Sequence, residues 1–80
     1  MEIKNRHKGL QVSLSFKNGY GISAIRFPGS YGYKHNLWEV AVLRGDDIAY
    51  DTEITNDVIG FCSDDDLADI MHKVRNLEQA

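Results

Sequence analysis

Leu10-Gln-Val-Ser-Leu-Ser-Phe-Lys-Asn-Gly-Tyr-Gly-Ile-Ser-Ala-Ile-Arg-Phe27 holds two strand-like runs on either side of an Asn-Gly turn. From Leu10 to Phe16 apolar and polar residues alternate strictly, which places Leu10, Val12, Leu14 and Phe16 on one face of a half-buried strand. Asn18-Gly19 follows, a dipeptide suited to a two-residue type I′ turn because both positions need positive φ. Such a turn pairs Lys17 with Tyr20. It sets Val12 opposite Ile25 and Leu10 opposite Phe27 on one apolar face, and Gln11 opposite Arg26 on the other.

Downstream, residues 28–36 lose all periodicity, beginning with the turn dipeptide Pro28-Gly29. Residues 37–44 resume as a strand, with Trp38, Val40 and Val42 on one face and Leu37, Ala41 and Leu43 on the other. Both faces are largely apolar, as in a central strand, with Glu39 the exception. Gly45-Asp46-Asp47 turns the chain into a fourth strand over 48–54. A two-residue loop there aligns Leu43 with Ile48. A three-residue loop aligns Val42 with Tyr50 and Trp38 with Ile54, and is preferred because it groups Trp38 and Tyr50 on one face. Residues 55–62 then read as a connector, with Val58, Ile59 and Phe61 as packing anchors.

Residues 63–78 read as a helix. Ser63 is the cap, and Asp64, Asp65 and Asp66 sit at the positive end of the helix dipole. Leu67, Ile70, Met71, Val74 and Leu77 form one apolar stripe, and Lys73 and Arg75 suit the C-terminal end. The expected architecture is α+β: a single domain with a four-stranded, mainly antiparallel meander sheet and one C-terminal helix packed on one face. Residues 1–9 form a polar, basic N-terminal arm, either solvated or a short frayed strand through Ile3. The uncovered sheet face gathers Ile22, Ala24, Leu37, Ala41 and Leu43 into an expected apolar patch that invites a protein partner or a second copy.

Eighty residues with 42% hydrophobic and 26% charged side chains describe a folded globular domain, not a disordered chain. A domain of that size buries only about 60–65% of its unfolded surface, so its stability is marginal. Residues 1–44 carry +5 and residues 45–80 carry −8 within a net charge of −3. Two oppositely charged, solvated faces account for this, and so does a dipolar module docking on another macromolecule. A net acidic chain must overcome phosphate repulsion, which argues against nucleic acid. The N-terminus lacks a signal-peptide core, no run approaches the roughly 20 apolar residues of a membrane span, and a lone cysteine excludes an internal disulfide. The expectation is a cytoplasmic protein.

Most chemistry has a simpler structural explanation. His7, His35 and His72 have no metal-ligand spacing, so neither a metal nor a cofactor is expected. Capping explains Asp64, Asp65 and Asp66, and turn or solvated-face positions explain Asp46, Asp47, Asp51 and Glu53. Cys62, beside Ile59 and Phe61, reads as a buried structural thiol. Gly29-Ser-Tyr-Gly32 leads into a strand, whereas a phosphate cradle leads into a helix. What remains is a candidate binding set: Arg26, Ser30, Tyr31, Tyr33, Lys34, His35 and Trp38. Tyr, Trp and Arg carry binding hot spots because they bring large area or planar donors at modest entropic cost. The same types grip nucleobases and phosphates. Alternatively, the loop folds back and its tyrosines cap the core.

Asn-Gly-Tyr-Gly-Ile-Ser-Ala-Ile-Arg at 18–26, Tyr-Gly at 31–32, Leu-Trp-Glu-Val-Ala-Val-Leu at 37–43 and Tyr-Asp-Thr-Glu-Ile-Thr-Asn-Asp-Val-Ile-Gly at 50–60 resemble a family of small uncharacterised phage- and prophage-encoded proteins. The similarity spans roughly residues 18–77. It implies expression inside a bacterium and carries no functional residues. Small acidic phage proteins often disable a host factor or defence complex, and by that analogy the leading expectation is a non-enzymatic module that occludes a host or defence protein. The alternatives are a sponge for a nucleotide signal, using Arg26, the loop tyrosines and Lys34, and a small metal-dependent enzyme using the carboxylates around Asp51.

Overall fold

The computed structural model describes residues 2–6, 9–52, 54 and 58–78. At its centre stands the expected hairpin, made of β2 (Gly9–Ser15) and β3 (Tyr20–Arg26), but three residues turn the chain instead of two. The Phe16 amide donates to the Tyr20 carbonyl at 2.8 Å and the Gly19 amide to the Phe16 carbonyl at 3.2 Å. Only Gly19, with φ of 89°, is left-handed in this turn. Asn18 keeps negative φ because its side chain is engaged elsewhere, as shown below.

One extra loop residue slips β3 by one position, and a one-residue slip exchanges its faces. Val12 lies opposite Ala24 and Leu14 opposite Ile22, in place of the expected Val12–Ile25 and Leu10–Phe27 pairs. Ile22 and Ala24 are fully buried, so they do not join an exposed patch. Arg26 moves with them to the helix-facing side, opposite to the expectation. Ile25 goes to the other face, where it joins Ser23, Glu39, Ala41, Leu43, Ile48 and Val58 around a shallow hollow of about 180 Å³.

Strand β4 (Trp38–Arg44) pairs antiparallel with β3, Ile22 opposite Val42 and Ala24 opposite Val40. Its own burial alternates as the sequence predicts, with Trp38, Val40 and Val42 inward. The fourth strand is shorter than expected: β5 is only Asp47–Ile48, with Leu43 opposite Ile48. This is the two-residue loop, not the preferred three-residue one. Small Ala49 therefore goes into the core, its amide donating to the Val42 carbonyl at 2.8 Å, while Tyr50 stays 54% exposed.

Trp38 is consequently not beside Tyr50 or Ile54. Its partner is Cys62 on β6 (Ile59–Cys62), a strand within the supposed connector. The reason lies in the next residues. The Trp38 indole N–H donates to Asp64 Oδ1 at 2.8 Å, and that bond ties the start of the helix, with the strand just before it, to β4. Glu53 and residues 55–57 of the expected strand and connector, and His7 and Lys8 of the arm, lie outside the described residues.

At the N-terminus β1 (Glu2–Arg6) pairs with β2, Ile3 opposite Val12. Among the described residues the sheet thus has six strands in the order β1-β2-β3-β4-β5, with β6 also on β4, where four were expected. The helix α1 (Asp64–Arg75) starts in a capping box: Ser63 Oγ accepts from the Asp66 amide at 3.1 Å and Asp66 Oδ2 from the Ser63 amide at 3.0 Å. It buries Leu67, Ile70 and Val74 against β3, β4 and β6. Each such side chain contributes about 1.5–3 kcal/mol. The helix ends at Arg75, with Asn76 as its cap, short of the expected 78. Among the described residues no helix is long and apolar enough to cross a membrane.

Candidate functional site

The aperiodic loop between β3 and β4 is a built structure held by its own hydrogen bonds. Ser30 closes the Pro28-Gly29 turn: its amide and hydroxyl donate to the Phe27 carbonyl at 2.9 and 2.8 Å, and its Oγ accepts from the Phe27 amide at 3.0 Å. A single 3₁₀ turn follows over Tyr33–His35, entered through left-handed Gly32 (φ 93°) and left through left-handed Asn36 (φ 57°). The Gly32 carbonyl accepts from both His35, at 3.0 Å, and Leu37, at 2.9 Å.

This loop leans on β6. A Cβ on Gly60 would lie 2.7 Å from Tyr31 Cβ, and one on Gly32 would lie 3.0 Å from Phe61 Cα. Only glycine permits either approach. The strand is bulged at this point: Gly60 and Phe61 together oppose Glu39, between the Trp38–Cys62 and Val40–Ile59 pairs. Glu39 itself reaches the loop, accepting from the Tyr31 amide at 3.2 Å through Oε1. That bond accounts for the one carboxylate on a strand that is apolar from Val40 to Leu43.

Together, residues 28–35 and Phe61 line a hollow of about 500 Å³. Its walls include the Tyr31 and Phe61 rings, 6.4 Å apart and tilted by 35°. These rings are 61% and 58% exposed, so Tyr31 does not cap the core. Lys34 and His35 are exposed on the same wall-forming segment, and Tyr33 is half-buried.

Of the seven residues proposed from sequence, five meet here: Ser30, Tyr31, Tyr33, Lys34 and His35. Ser30 acts as the loop's internal clasp. Arg26 and Trp38 lie elsewhere, on the helix side of the sheet. The Arg26 guanidinium carbon sits 4.1 Å from the centroid of the Trp38 ring, and an Arg26 terminal nitrogen lies 3.6 Å from Asp64 Oδ1. Trp38 is a core residue. Arg26 stacks on it, with a buried Nε that has no hydrogen-bond partner among the described residues. Phe61 is the one wall residue from outside the loop segment, and it is absent from the sequence-derived set. A glycine inside the short apolar run Ile59-Gly-Phe-Cys62 is the available signal, since it marks a bulge or a close backbone approach.

The other groups of chemical interest are engaged structurally. Cys62 is buried, and burial first and the Asp66 charge second push its thiol pKa up, away from a reactive thiolate. Asp51 pairs with Arg44 at 3.0 Å, and Arg44 also donates to the Tyr20 hydroxyl at 3.0 Å. The hydrogen bond from Arg44 holds the Asp51 carboxyl below its ordinary pKa. Among the described residues no three His, Cys, Asp or Glu side chains converge on a point where a metal ion could sit. No family model, curated protein or solved structure matches the chain.

Proposed function

We propose that this chain is a non-enzymatic binding module that acts by covering a surface of another protein. In keeping with its resemblance to phage-encoded proteins, that partner belongs to the bacterial host cytoplasm or to a host defence complex. The observation that carries this reading is the exposed Tyr31–Phe61 pair, one ring on a loop whose shape is already built and the other on β6. Folded chains seldom leave two neighbouring aromatic rings in water, and rings held in place lose little entropy on docking.

The test is capture of bacterial proteins on tagged protein, run in parallel with the Tyr31→Ala/Lys34→Ala variant. A partner retained by the wild type and weakened about tenfold or more by the variant supports the reading, since truncated hot spots lose at least that much. Undiminished capture removes the loop from the contact.

The hollow favours a second reading. At about 500 Å³ it falls within the range of roughly 300–1,000 Å³ typical of small-molecule sites. Lys34 and His35 could meet a phosphate while Tyr31 or Phe61 stacks on a base. Arg26, expected to serve in such a site, stands outside it against Trp38 and Asp64. Thermal-shift measurements against linear and cyclic nucleotides test this sponge, and a flat response across the panel removes it.

A further inference from the structure

Phe61 holds a backbone conformation that suits its side chain poorly. Its φ of 56° lies in the left-handed region, which glycine enters freely, asparagine tolerates and a bulky aromatic residue avoids. Burial does not repay this strain, because the side chain is 58% exposed. The bulge needs one left-handed residue opposite Glu39, and a glycine at 61 would meet that need without strain. Instead the ring projects beside Tyr31 into the hollow. Strain that no packing offsets is a feature of functional positions.

Building on the binding-module reading, we propose that Phe61 is the anchor of the contact, and that it receives a partner-protein segment carrying an apolar side chain next to a carboxylate. The apolar half of that specification follows from the Tyr31 and Phe61 rings. The acidic half follows from the loop's basic side chains. Lys34 and His35 are exposed, and among the described residues no ion pair engages either. The carboxylate that reaches this loop, Glu39, already accepts the Tyr31 amide. A carboxylate on the partner supplies the counter-charge that the loop lacks, and charge complementarity of this kind sets register and on-rate.

The experiment uses a displayed library of random twelve-residue peptides, panned on immobilised full-length wild type, Phe61→Gly and Phe61→Asn. Both substitutions accept the left-handed backbone and remove the ring. The expected result is enrichment on the wild type of peptides pairing a bulky apolar residue with Asp or Glu. Affinity should fall about tenfold or more for both variants. Both variants should melt at or above the wild-type temperature, with a gain for Phe61→Gly of up to about 4–8 °C for each kcal/mol of strain released.

Peptides that bind both variants undiminished, or enriched sequences that are basic, overturn the proposal while the binding-module reading stands. Lower melting temperatures for both variants overturn it too, by making Phe61 a structural residue. A wild-type dimer in light scattering that Phe61→Asn converts to monomer assigns the hollow to a second copy. A nucleotide that shifts the backbone resonances of 28–35 where no peptide does assigns it to a small molecule. Either outcome overturns the proposal. No enrichment on the wild type counts against the binding-module reading as well.

Discussion

The side-chain amide of Asn18, in the β2–β3 turn, donates to the carbonyls of Val74 at 2.9 Å and Leu77 at 3.0 Å, so the hairpin caps the C-terminal end of the helix. Its other side-chain atom, Oδ1, accepts the Tyr20 amide at 3.1 Å. One residue thereby closes its own turn and docks an element 56 positions away. Asn18→Asp replaces the donors with acceptors and sets a negative charge at the negative end of the dipole. It should destabilise the fold by about 2 kcal/mol in urea titrations. Asn18→Gly suits the turn backbone but loses both the cap and the Oδ1 bond to the Tyr20 amide, and should cost about 1–2 kcal/mol.

Trp38 and Asp64 make the corresponding tie at the other end of the helix. Trp38→Phe removes the indole donor and should cost about 1–2 kcal/mol. A double-mutant cycle with Asp64→Ala should return a coupling of about 1 kcal/mol, because each change alone deletes the same 2.8 Å bond. A coupling near zero would mean that the bond adds nothing net. Asp64→Asn keeps an acceptor for the indole and should be milder than Asp64→Ala.

Under the loop, Gly60→Ala should push Tyr31 off its seat, since the added carbon would stand 2.7 Å from Tyr31 Cβ. Overpacking of this kind costs about 1–3 kcal/mol. Amide resonances of residues 30–33 should shift while those of β2 and β3 hold their positions. An unchanged loop spectrum would contradict the close approach of β6.

Acid stability should register the Arg44–Asp51 pair. Asp51 has a folded pKa below its ordinary value of 3.8, so its contribution is complete above that value and is lost as pH falls through the folded pKa. Asp51→Asn should match the wild type's pH dependence at neutral pH and show a shallower loss of stability below 3.8. Salt should narrow the difference, because the pair is exposed.

Cys62 should react slowly with a disulfide reagent in the native state, limited by opening of the fold, and at once in denaturant. Two causes act together: the thiol is buried and its pKa is raised. Rapid native-state labelling at pH 7 would place Cys62 outside the core.

Much of the fold could be read directly. Strict alternation over Leu10 to Phe16 marks β2, and Trp38, Val40 and Val42 mark the inner face of β4, because side-chain direction in a strand follows parity alone. Ser63, the three following aspartates and the Leu67–Ile70–Val74 spacing mark the helix for equally local reasons. The loop could be recognised as a candidate site because its aromatic and basic residues fit no period. The fourth strand was read too long, over 48–54, with its observed Leu43–Ile48 pairing as the less favoured alternative, and β6 was read as connector, since four residues are too few for a period to appear. Phe61 was missed with β6, as a left-handed phenylalanine has no local signature.

The sequence alone established β2, β3 and β4 as strands and α1 as a helix, which residues of β2, β4 and α1 are apolar on one side, and that an aromatic, basic loop joins β3 to β4. Tertiary structure decided the register. Asn18-Gly19 is compatible with a two- or a three-residue loop, and the choice fell to the C-terminal end of the helix, where the carbonyls of Val74 and Leu77 accept the Asn18 amide. From that single slip follow the burial of Ile22 and Ala24 and the stacking of Arg26 on Trp38, away from the loop. The Trp38–Asp64 bond then brought β6 alongside β4, and with it the Phe61 ring that completes the hollow. Local propensities weigh only a few tenths of a kcal/mol per residue, so two such long-range bonds are enough to choose among the registers they leave open.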